Sequence, residues 1–319
     1  MKSTGRFTPV LKKLTHYSYD HCSRCGALLP KGVAAYAGYT AAEDEIYVGE
    51  CCQASIAELA SHIYWWWSTY KRPTPETVLW RYMDFSKFVA LLKDGALYFA
   101  RADHLGDAFE GARGLAQREE EWKAYCLEYF RKAIRTAPGQ TEEISVERID
   151  EEAERLYRDF EAVGKREIQN SFVSCWHANE GESEALWRLY SPPPSAGIAV
   201  RTEFGALDRA LDDSFCIKFG HIQYVNFAER FAGTYDRIFW KRDSLSHEAE
   251  VRAVTTKDWQ NSSNELGVLV PLDMSLAISS VVTSPFAPRW FDAVVRETMQ
   301  KFGLEVPVQS SELLAEPFF

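Results

Sequence analysis

The sequence predicts an α+β protein, in which a small cysteine-rich ribbon precedes a larger mixed-sheet domain with a helical insertion. Three observations lead to this prediction. Four of the seven cysteines lie within the first 52 of 319 residues. Two prolines interrupt Lys71-Arg72-Pro73-Thr74-Pro75, which predicts a linker. Beyond the linker, strand-like runs outnumber helical ones and alternate with them irregularly, which favours α+β over a doubly wound sheet.

Composition limits the classes of function. The net charge of −10 opposes a broad duplex-binding surface, because phosphate contacts need clustered Lys and Arg, although a local basic groove stays compatible with it. No apolar run approaches the roughly 18 residues that a membrane helix needs, and no signal-peptide core follows Met1–Arg6. We therefore expect a cytoplasmic protein without a membrane partner. In that compartment cysteines are metal ligands or buried thiols rather than disulfides.

The four N-terminal cysteines have the pattern of a zinc ribbon. Cys22-Ser23-Arg24-Cys25-Gly26 has the form of a zinc knuckle, in which a tight turn points backbone N–H groups at the thiolates, and the return half is Gly49-Glu50-Cys51-Cys52. Zinc prefers four tetrahedral sulfur or nitrogen ligands, and a site without an open position is structural. We predict structural zinc in a module of residues 1–70, with four ligands: Cys22, Cys25, Cys51 and Cys52.

Two alternatives to this ligand set stay open. Cys51 and Cys52 are adjacent, and although neighbours can both bind one ion, His16 or His21 could replace one of them. The other alternative is four buried cysteines without a metal, but a segment this short and poor in aliphatic residues would have little else to fold around. Apolar residues at helical spacing predict that a helix over residues 55–67 ends the module.

The second unit, residues 76–319, starts with a strand at residues 78–83. Asp84 is the candidate N-cap of the following helix and Gly95 ends it. The charged stretch at about residues 114–167 has spaced apolar positions, which predict a pair of amphipathic helices as the insertion. The remaining predicted elements are strands at 97–102, 171–176, 197–201, 216–224, 250–254, 268–272, 279–284 and 306–309, and helices at 182–190 and 289–302.

Charged residues interrupt several of these apolar runs. Arg81 and Arg101 each lie near a strand end, and a buried arginine requires a carboxylate or a bound anion as its partner. Asp107 and Glu110 could be those partners, which would make both arginines structural. His177 and His247 lack metal-ligand spacing, and single histidines are more often satisfied hydrogen-bonding groups than catalysts.

A late strand carries a second charged pattern. Alternation places Glu248, Glu250 and Arg252 on one face of this strand, opposite Ala249 and Val251. The simplest interpretation is a solvated face on which Arg252 neutralises the two carboxylates.

Six segments of the second unit combine charged or aromatic residues with strand-like or helical flanks. Together they resemble a bacterial family of domains of unknown function, numbered twenty-nine seventy-one, over about residues 78–310. The resemblance implies no established activity, but it implies that members often belong to mobile elements and defence loci. Ala108 departs from the family, which usually has proline there. The segments are Trp80-Arg81-Tyr82-Met83, Leu97-Tyr98-Phe99-Ala100-Arg101-Ala102-Asp103, Gly106-Asp107-Ala108-Phe109-Glu110-Gly111, Val173-Ser174-Cys175-Trp176-His177, Ala185-Leu186-Trp187-Arg188-Leu189-Tyr190 and His247-Glu248-Ala249-Glu250-Val251-Arg252-Ala253.

The order of arginine, serine and Glu-x-Glu along the chain is similar to the arginine–serine–glutamate class of ADP-ribosyltransferases. This similarity implies that Arg81 holds the phosphates of NAD and that Ser174 orients the nicotinamide ribose. It also implies that Glu250 stabilises the oxocarbenium-like transition state, since a fixed carboxylate opposes the charge that develops on the ribose. Glu248 would then help to activate a protein or nucleic-acid acceptor.

Further residues complete this first hypothesis of an NAD-cleaving enzyme, which would act as the toxic effector of a bacterial defence or toxin system. Tyr82 or Trp176 would stack on the nicotinamide, and Arg101 is a second candidate for cofactor binding. The class usually has Ser-Thr-Ser where this chain has Ser174-Cys175-Trp176.

Two other hypotheses compete. In one, the zinc ribbon grips a nucleic-acid end while Arg81, Arg101, Arg188 and Lys241-Arg242 line a phosphate pocket. A nuclease version of it would bind a metal through carboxylate oxygens. In the other, the protein is a partner-binding module of a defence or toxin system without chemistry of its own. The carboxylates of the nuclease version are Asp107, Glu110, Glu248 and Glu250.

Overall fold

The computed structural model of the protein describes residues 10–13, 21–22, 25–30, 32–39, 45–55, 71–136, 144–192, 196–233, 237–257 and 264–318. Within this part of the chain, no helix is long and apolar enough to cross a membrane. The predicted helix over residues 55–67 lies, apart from its first residue, outside the described residues, as does the predicted break between the two insertion helices.

The described chain contains fourteen strands. Their bounds are β1 Val10–Lys13, β2 Ala34–Tyr39, β3 Glu45–Val48, β4 Val78–Asp84, β5 Ala96–Arg101, β6 Ser171–Ala178, β7 Gly197–Glu203, β8 Lys218–His221, β9 Gln223–Val225, β10 Trp240–Arg242, β11 Glu250–Thr256, β12 Gly267–Pro271, β13 Ser280–Thr283 and β14 Val308–Ser310.

Five of the seven described α-helices were predicted, and α5 and α6 were not; α2 and α3 form the insertion. Asp84 caps α1 by accepting a hydrogen bond from the backbone N–H of Lys87 at 2.9 Å. Gly95 ends α1 with a φ of 57°, a left-handed conformation that glycine adopts without steric cost. The helices are α1 Phe85–Asp94, α2 Glu119–Arg135, α3 Val146–Gln169, α4 Glu184–Tyr190, α5 Phe204–Ala210, α6 Met274–Ala277 and α7 Phe291–Lys301.

The N-terminal strands β1, β2 and β3 form an antiparallel sheet in that order. A small buried cluster beside it contains Cys22, Leu29, Ala35, Tyr47 and Val48. The predicted cysteine-rich ribbon therefore has its own sheet and a small core of its own.

The second unit contains a nine-stranded mixed sheet in the order β12-β5-β6-β4-β7-β13-β14, with β11 also paired to β6 and β8 paired to β11. Most of its ladders are antiparallel, and β13 and β14 are parallel. Strands β9 and β10 form a separate parallel pair. The predicted strand over 216–224 is divided into β8 and β9 at Ile222, while β10 and α5 were not predicted.

Two consecutive strands share one edge of β6. Strand β4 pairs with β6 at His177 and Ala178, and β5 pairs with it at Phe172 and Val173. Strand β11 pairs with the opposite edge of β6 along its whole length. The intervening residues 174–176 therefore lie where β4 and β5 diverge, and Arg81 follows the last β4 residue that pairs with β6.

The main core covers one face of this sheet. Phe172 and Trp176 of β6 belong to it together with Val251 and Ala253 of β11. Because alternate residues of a strand point to opposite faces, Cys175 and His177 of β6, and Glu250 and Arg252 of β11, point to the other face. The loop at residues 71–75 is joined to the second unit by an ion pair between Arg72 and Asp208 at 3.0 Å.

Candidate functional site

The four N-terminal cysteines come together in space. The Sγ atoms of Cys22, Cys25, Cys51 and Cys52 all lie within 4.8 Å of one another, and those of Cys25 and Cys51 are 3.5 Å apart. Cys22 is buried, Cys25 and Cys51 are exposed and Cys52 is intermediate. The cluster is close enough to hold a metal ion. His21 is not a member of the cluster, and His16 lies outside the described residues.

Two glycine turns shape the cluster. Gly26 has a φ of 72°, and its backbone N–H donates to the carbonyl of Cys22 at 2.8 Å. At Gly49 an added Cβ would clash with Leu29 Cδ2, so a side chain at this position would require Leu29 to shift. The hydrogen bond with Cys25 raises the pKa of the Cys51 thiol to about 12. A bound metal ion would instead lower the pKa of the thiol, because metal ions favour the thiolate form.

A buried group of five charged side chains, here called the ion-pair network, lies on the insertion side of the large sheet. Lys241 Nζ lies 2.8 Å from both Glu248 Oε2 and Glu250 Oε2. Arg252 bonds Glu250 Oε1 through Nε at 2.6 Å and Glu110 Oε1 through Nη2 at 2.7 Å. The network therefore contains three carboxylates and two cations.

Burial makes this network tightly coupled. Side-chain exposure is 1% for Arg252 and Glu250, 8% for Glu248 and 9% for Lys241. Although burial alone would raise the pKa of Glu250, the charges of Arg252 and Lys241 hold it well below its ordinary value. The pKa of Lys241 is raised in turn, because Glu250 and Glu248 outweigh its burial. The predicted solvated face is therefore wrong: packing against β10 and the residue 105–111 loop excludes solvent from it.

A left-handed turn places Glu248 beside Glu250. Glu248 ends a 3-10 helix, Asp243–Glu248, and Ala249 has a φ of 42°. The backbone carbonyl of Ala249 accepts from the N–H of Ala178 on β6 at 2.8 Å. The prediction that Glu248 lies on the strand is therefore wrong. Lys241 nevertheless joins the carboxylate of Glu248 to that of Glu250.

Arg81 is bound without a carboxylate. Its Nη1 donates to the hydroxyl of Ser174 and to the carbonyl of Cys175 at 3.2 Å, and its guanidinium lies 5.7 Å from the ring centroid of Trp176. Burial lowers the pKa of Arg81, yet an arginine stays charged. Among the described residues, no carboxylate lies within ion-pair distance of it.

The two carboxylates expected to neutralise Arg81 and Arg101 are used elsewhere. Asp107 pairs with Arg242 at 2.6 Å, and Glu110 belongs to the ion-pair network. Arg101 has its own partner, Asp103, at 2.7 Å. Asp107 and Glu110 are therefore not structural partners of the two arginines, and of this pair Arg81 is the one without a carboxylate partner among the described residues.

Two tyrosine rings flank His177, which contacts the ion-pair network through the backbone of Glu248. The ring of His177 lies between those of Tyr82 and Tyr190, at centroid distances of 5.9 and 5.5 Å. His177 Nδ1 lies 2.8 Å from the backbone carbonyl of Glu248, so Nδ1 carries the proton and Nε2 the lone pair. Burial lowers the pKa of His177, which keeps this imidazole neutral at neutral pH.

Tyr190 is the more open of the two tyrosines. It is 37% exposed, whereas Tyr82 is 4% exposed. Burial of its hydroxyl raises the pKa of Tyr190, and the charges of Glu248 and Glu250 raise it further. Tyr190 also lies close enough to Arg81 for an electrostatic interaction between the two side chains. The Tyr190 side chain is therefore close enough to interact electrostatically with Arg81 and with the carboxylates of Glu248 and Glu250.

The structure brings some of the sequence-predicted residues together and separates others. Arg81 contacts Ser174 directly. Glu250 pairs with His177 across the ladder, three positions from Ser174, which pairs with Ala253. The side chains of Ser174 and Glu250 therefore point to opposite faces of the sheet.

The remaining candidate residues are either buried or paired with another charged side chain of the protein. Trp176 and Tyr82 are 2% and 4% exposed, so neither ring presents a face to solvent. Arg188 pairs with Glu184 at 2.7 Å. The proposed nuclease ligands Asp107, Glu110, Glu248 and Glu250 are each paired with a protein cation.

Sequence reasoning assigned Lys241 to a phosphate pocket and missed its central position in the ion-pair network, and it also missed the open position of Tyr190. Lys241 lies within the run Phe239-Trp240-Lys241, so the rule that singled out Arg81, a cation interrupting an apolar run, could have found it. Tyr190 carries no such signal, because its exposure depends on how α4 packs.

Comparison with known proteins adds no relative: the chain matches no protein-family model, no curated protein and no solved structure. The resemblance to the family of domains of unknown function accordingly stays a prediction.

Proposed function

We propose that the second unit is an ADP-ribosyltransferase-like enzyme that cleaves NAD, and that Arg81 binds a phosphate of the dinucleotide. The uncompensated charge of Arg81 is the observation that carries this proposal. A desolvated cation without a carboxylate favours a bound anion, and guanidinium matches phosphate oxygens in geometry. Tyr190, the exposed ring near Arg81, is the surface on which a nicotinamide or adenine ring stacks.

The reacting carboxylate in this proposal is Glu248. Both oxygens of Glu250 are held by cations, whereas Glu248 Oε1 has no hydrogen-bond partner among the described residues. As the bond between ribose C1′ and the nicotinamide nitrogen breaks, its electron pair leaves with nicotinamide and positive charge develops on the ribose. Glu248 opposes that charge. Glu250 acts as a positioning residue through Lys241.

His177 completes the reaction as the base. An acceptor oxygen, from water or a macromolecule, forms a new bond to C1′ and its proton passes to Nε2 of His177. A neutral imidazole with its proton fixed on Nδ1 is prepared for that step. Such an enzyme would consume NAD or modify a cellular target, in keeping with the association with defence loci that the family resemblance implies.

The test is release of nicotinamide from NAD by the full chain, with water, nucleic acid or protein lysate supplied as acceptor. Glu248→Gln should reduce the rate by about 100-fold or more, since it removes a charge from the transition state. Arg81→Gln should mainly raise KM. Arg101→Gln is the matched control, because this arginine has its own carboxylate, and it should retain activity. NAD that stays intact with all three acceptors would contradict the proposal.

We also propose that the metal of the four-cysteine cluster is zinc and that its role is structural. Four sulfur ligands leave no open coordination position for substrate, and thiolate sets of this kind select zinc over harder cations. Metal analysis of the purified full chain should find one zinc per chain. A chain that contains no zinc after purification in zinc-supplemented medium would contradict this assignment.

A further inference from the structure

A surface cavity of about 310 Å³ lies apart from the Arg81 site. Its walls come from the loop after β6, from β4 and β7, and from the C-terminal strands β13 and β14. This volume is at the lower end of the range of about 300–1,000 Å³ that small-molecule sites occupy, so the cavity suits a small ligand.

The cavity carries unpaired charges of both signs. Arg201 lines it, and among the described residues no carboxylate lies within ion-pair distance of its guanidinium. Glu180 and Glu312 also line the cavity, and neither side chain has a cation partner in the described part of the chain. Arg201 and the two glutamates line the same cavity without forming an ion pair with one another. A ligand with charges of both signs could therefore pair with the arginine and with the glutamates at once.

The geometry of the walls is fixed by contacts that do not use these charges. Glu182 accepts hydrogen bonds from Trp187 Nε1 at 2.7 Å, from the Ser311 hydroxyl at 2.6 Å and from the backbone N–H of Glu312 at 2.7 Å. It therefore joins the loop after β6 to the C-terminal segment. The position of Glu312 does not depend on a ligand.

The Trp80 ring packs near the guanidinium of Arg201 at one side of the cavity. Trp80 lies directly across the ladder from Arg201, and the guanidinium is 6.0 Å from its ring centroid. The Trp80 Nε1–H donates to the carbonyl of Asn179 at 2.9 Å, which fixes the ring orientation. Arg201 and Trp80 thus line one side of the cavity, whereas Glu180 comes from the loop after β6 and Glu312 from the C-terminal segment.

We propose that this cavity binds a small zwitterion of the α-amino acid class. Arg201 receives the ligand carboxylate, and Glu180 and Glu312 receive its ammonium group. This site does not depend on the proposed NAD chemistry, because none of its lining residues belongs to the Arg81 site or to the ion-pair network.

The test measures thermal unfolding of the full chain with each of the standard amino acids at millimolar concentration. At least one should raise Tm, and calorimetric titration then gives its Kd. Its N-acetyl derivative lacks the ammonium charge and its amide lacks the carboxylate. Each should bind at least about tenfold more weakly, because each loses a charge-assisted hydrogen bond.

Variants assign the binding to the cavity. Arg201→Gln and the double variant Glu180→Gln/Glu312→Gln should each weaken binding by about tenfold or more. Arg201→Gln could impair folding. Because Glu180 and Glu312 are exposed, the double variant should fold normally and then provides the test of binding. Arg188→Gln, on the nearby helix α4 and already ion-paired, is the control and should bind normally. No amino acid raising Tm, or equal binding of the N-acetyl and amide forms, overturns the proposal.

Discussion

The guanidinium of Arg81 donates to the hydroxyl of Ser174 at the point where β4 and β5 diverge along β6. This contact holds the cation in place without neutralising it. The same sheet contains Arg252, which is equally central but is paired with Glu250 and Glu110. The two arginines thus have different expected properties, one as an anion site and the other as a structural charge.

Pyrophosphate should bind at Arg81. We expect it to raise Tm of the full chain relative to chloride at equal ionic strength, because a ligand that binds only the folded state stabilises it. At a concentration of about 100 times Kd the gain would be about 2.7 kcal/mol. Arg81→Gln should abolish the shift, and Arg101→Gln should preserve it. An equal shift in both variants would place the bound anion elsewhere.

Glu250→Gln should destabilise the second unit strongly. The substitution leaves Lys241 and Arg252 buried with one fewer carboxylate, and removing one partner of a buried ion pair costs about 3–5 kcal/mol. Urea unfolding followed by tryptophan fluorescence measures this loss. Glu184→Gln removes an exposed partner of Arg188 and should cost less than about 0.5 kcal/mol. Similar losses for the two variants would show that the network is solvated in solution.

Stability should fall on acidification through the protonation of His177. Burial lowers its pKa in the folded state, whereas the unfolded chain has a histidine pKa of about 6.5. Below that pH the unfolded state binds the extra proton first, so stability rises with pH across the interval between the two pKa values. The contribution is complete above about pH 6.5 and is lost as pH falls through the interval.

His177→Gln should flatten this dependence by up to one proton, or about 1.4 kcal/mol per pH unit. Denaturant unfolding between neutral and mildly acidic pH measures the slope. A residual slope is expected from His221, whose pKa burial also lowers. An unchanged slope in His177→Gln would contradict the neutral buried imidazole.

Metal removal should unfold the N-terminal module before the large sheet. The described residues of the module form one small buried cluster, so coordination should supply much of its folding free energy. A chelator should abolish protease resistance of the module while leaving Tm of the second unit nearly unchanged. Cys22→Ser should reproduce this effect, and Cys126→Ser, a buried thiol of α2, should not. Persistent protection of the chelated module would indicate that its apolar contacts suffice.

Local features of the fold were predictable from neighbouring residues. The ends of α1 follow from Asp84 and Gly95, since a cap depends on groups within one turn of the chain. The cysteine cluster follows from its spacing, because the knuckle at Cys22 and Cys25 needs only a tight turn. The division of β8 from β9 at Ile222 was not predictable, because it depends on pairing with β11 and β10.

By itself, the sequence predicted most strands and helices of the second unit and the cluster of four cysteines. Only the tertiary structure decided which charges compensate one another. Arg252 meets Glu110 across 142 positions and Arg242 meets Asp107 across 135. Such pairings depend on strand order in the sheet, which local propensities do not encode. In the folded interior Arg252 is therefore a buried partner of two carboxylates, whereas Arg81 is desolvated without a carboxylate partner among the described residues.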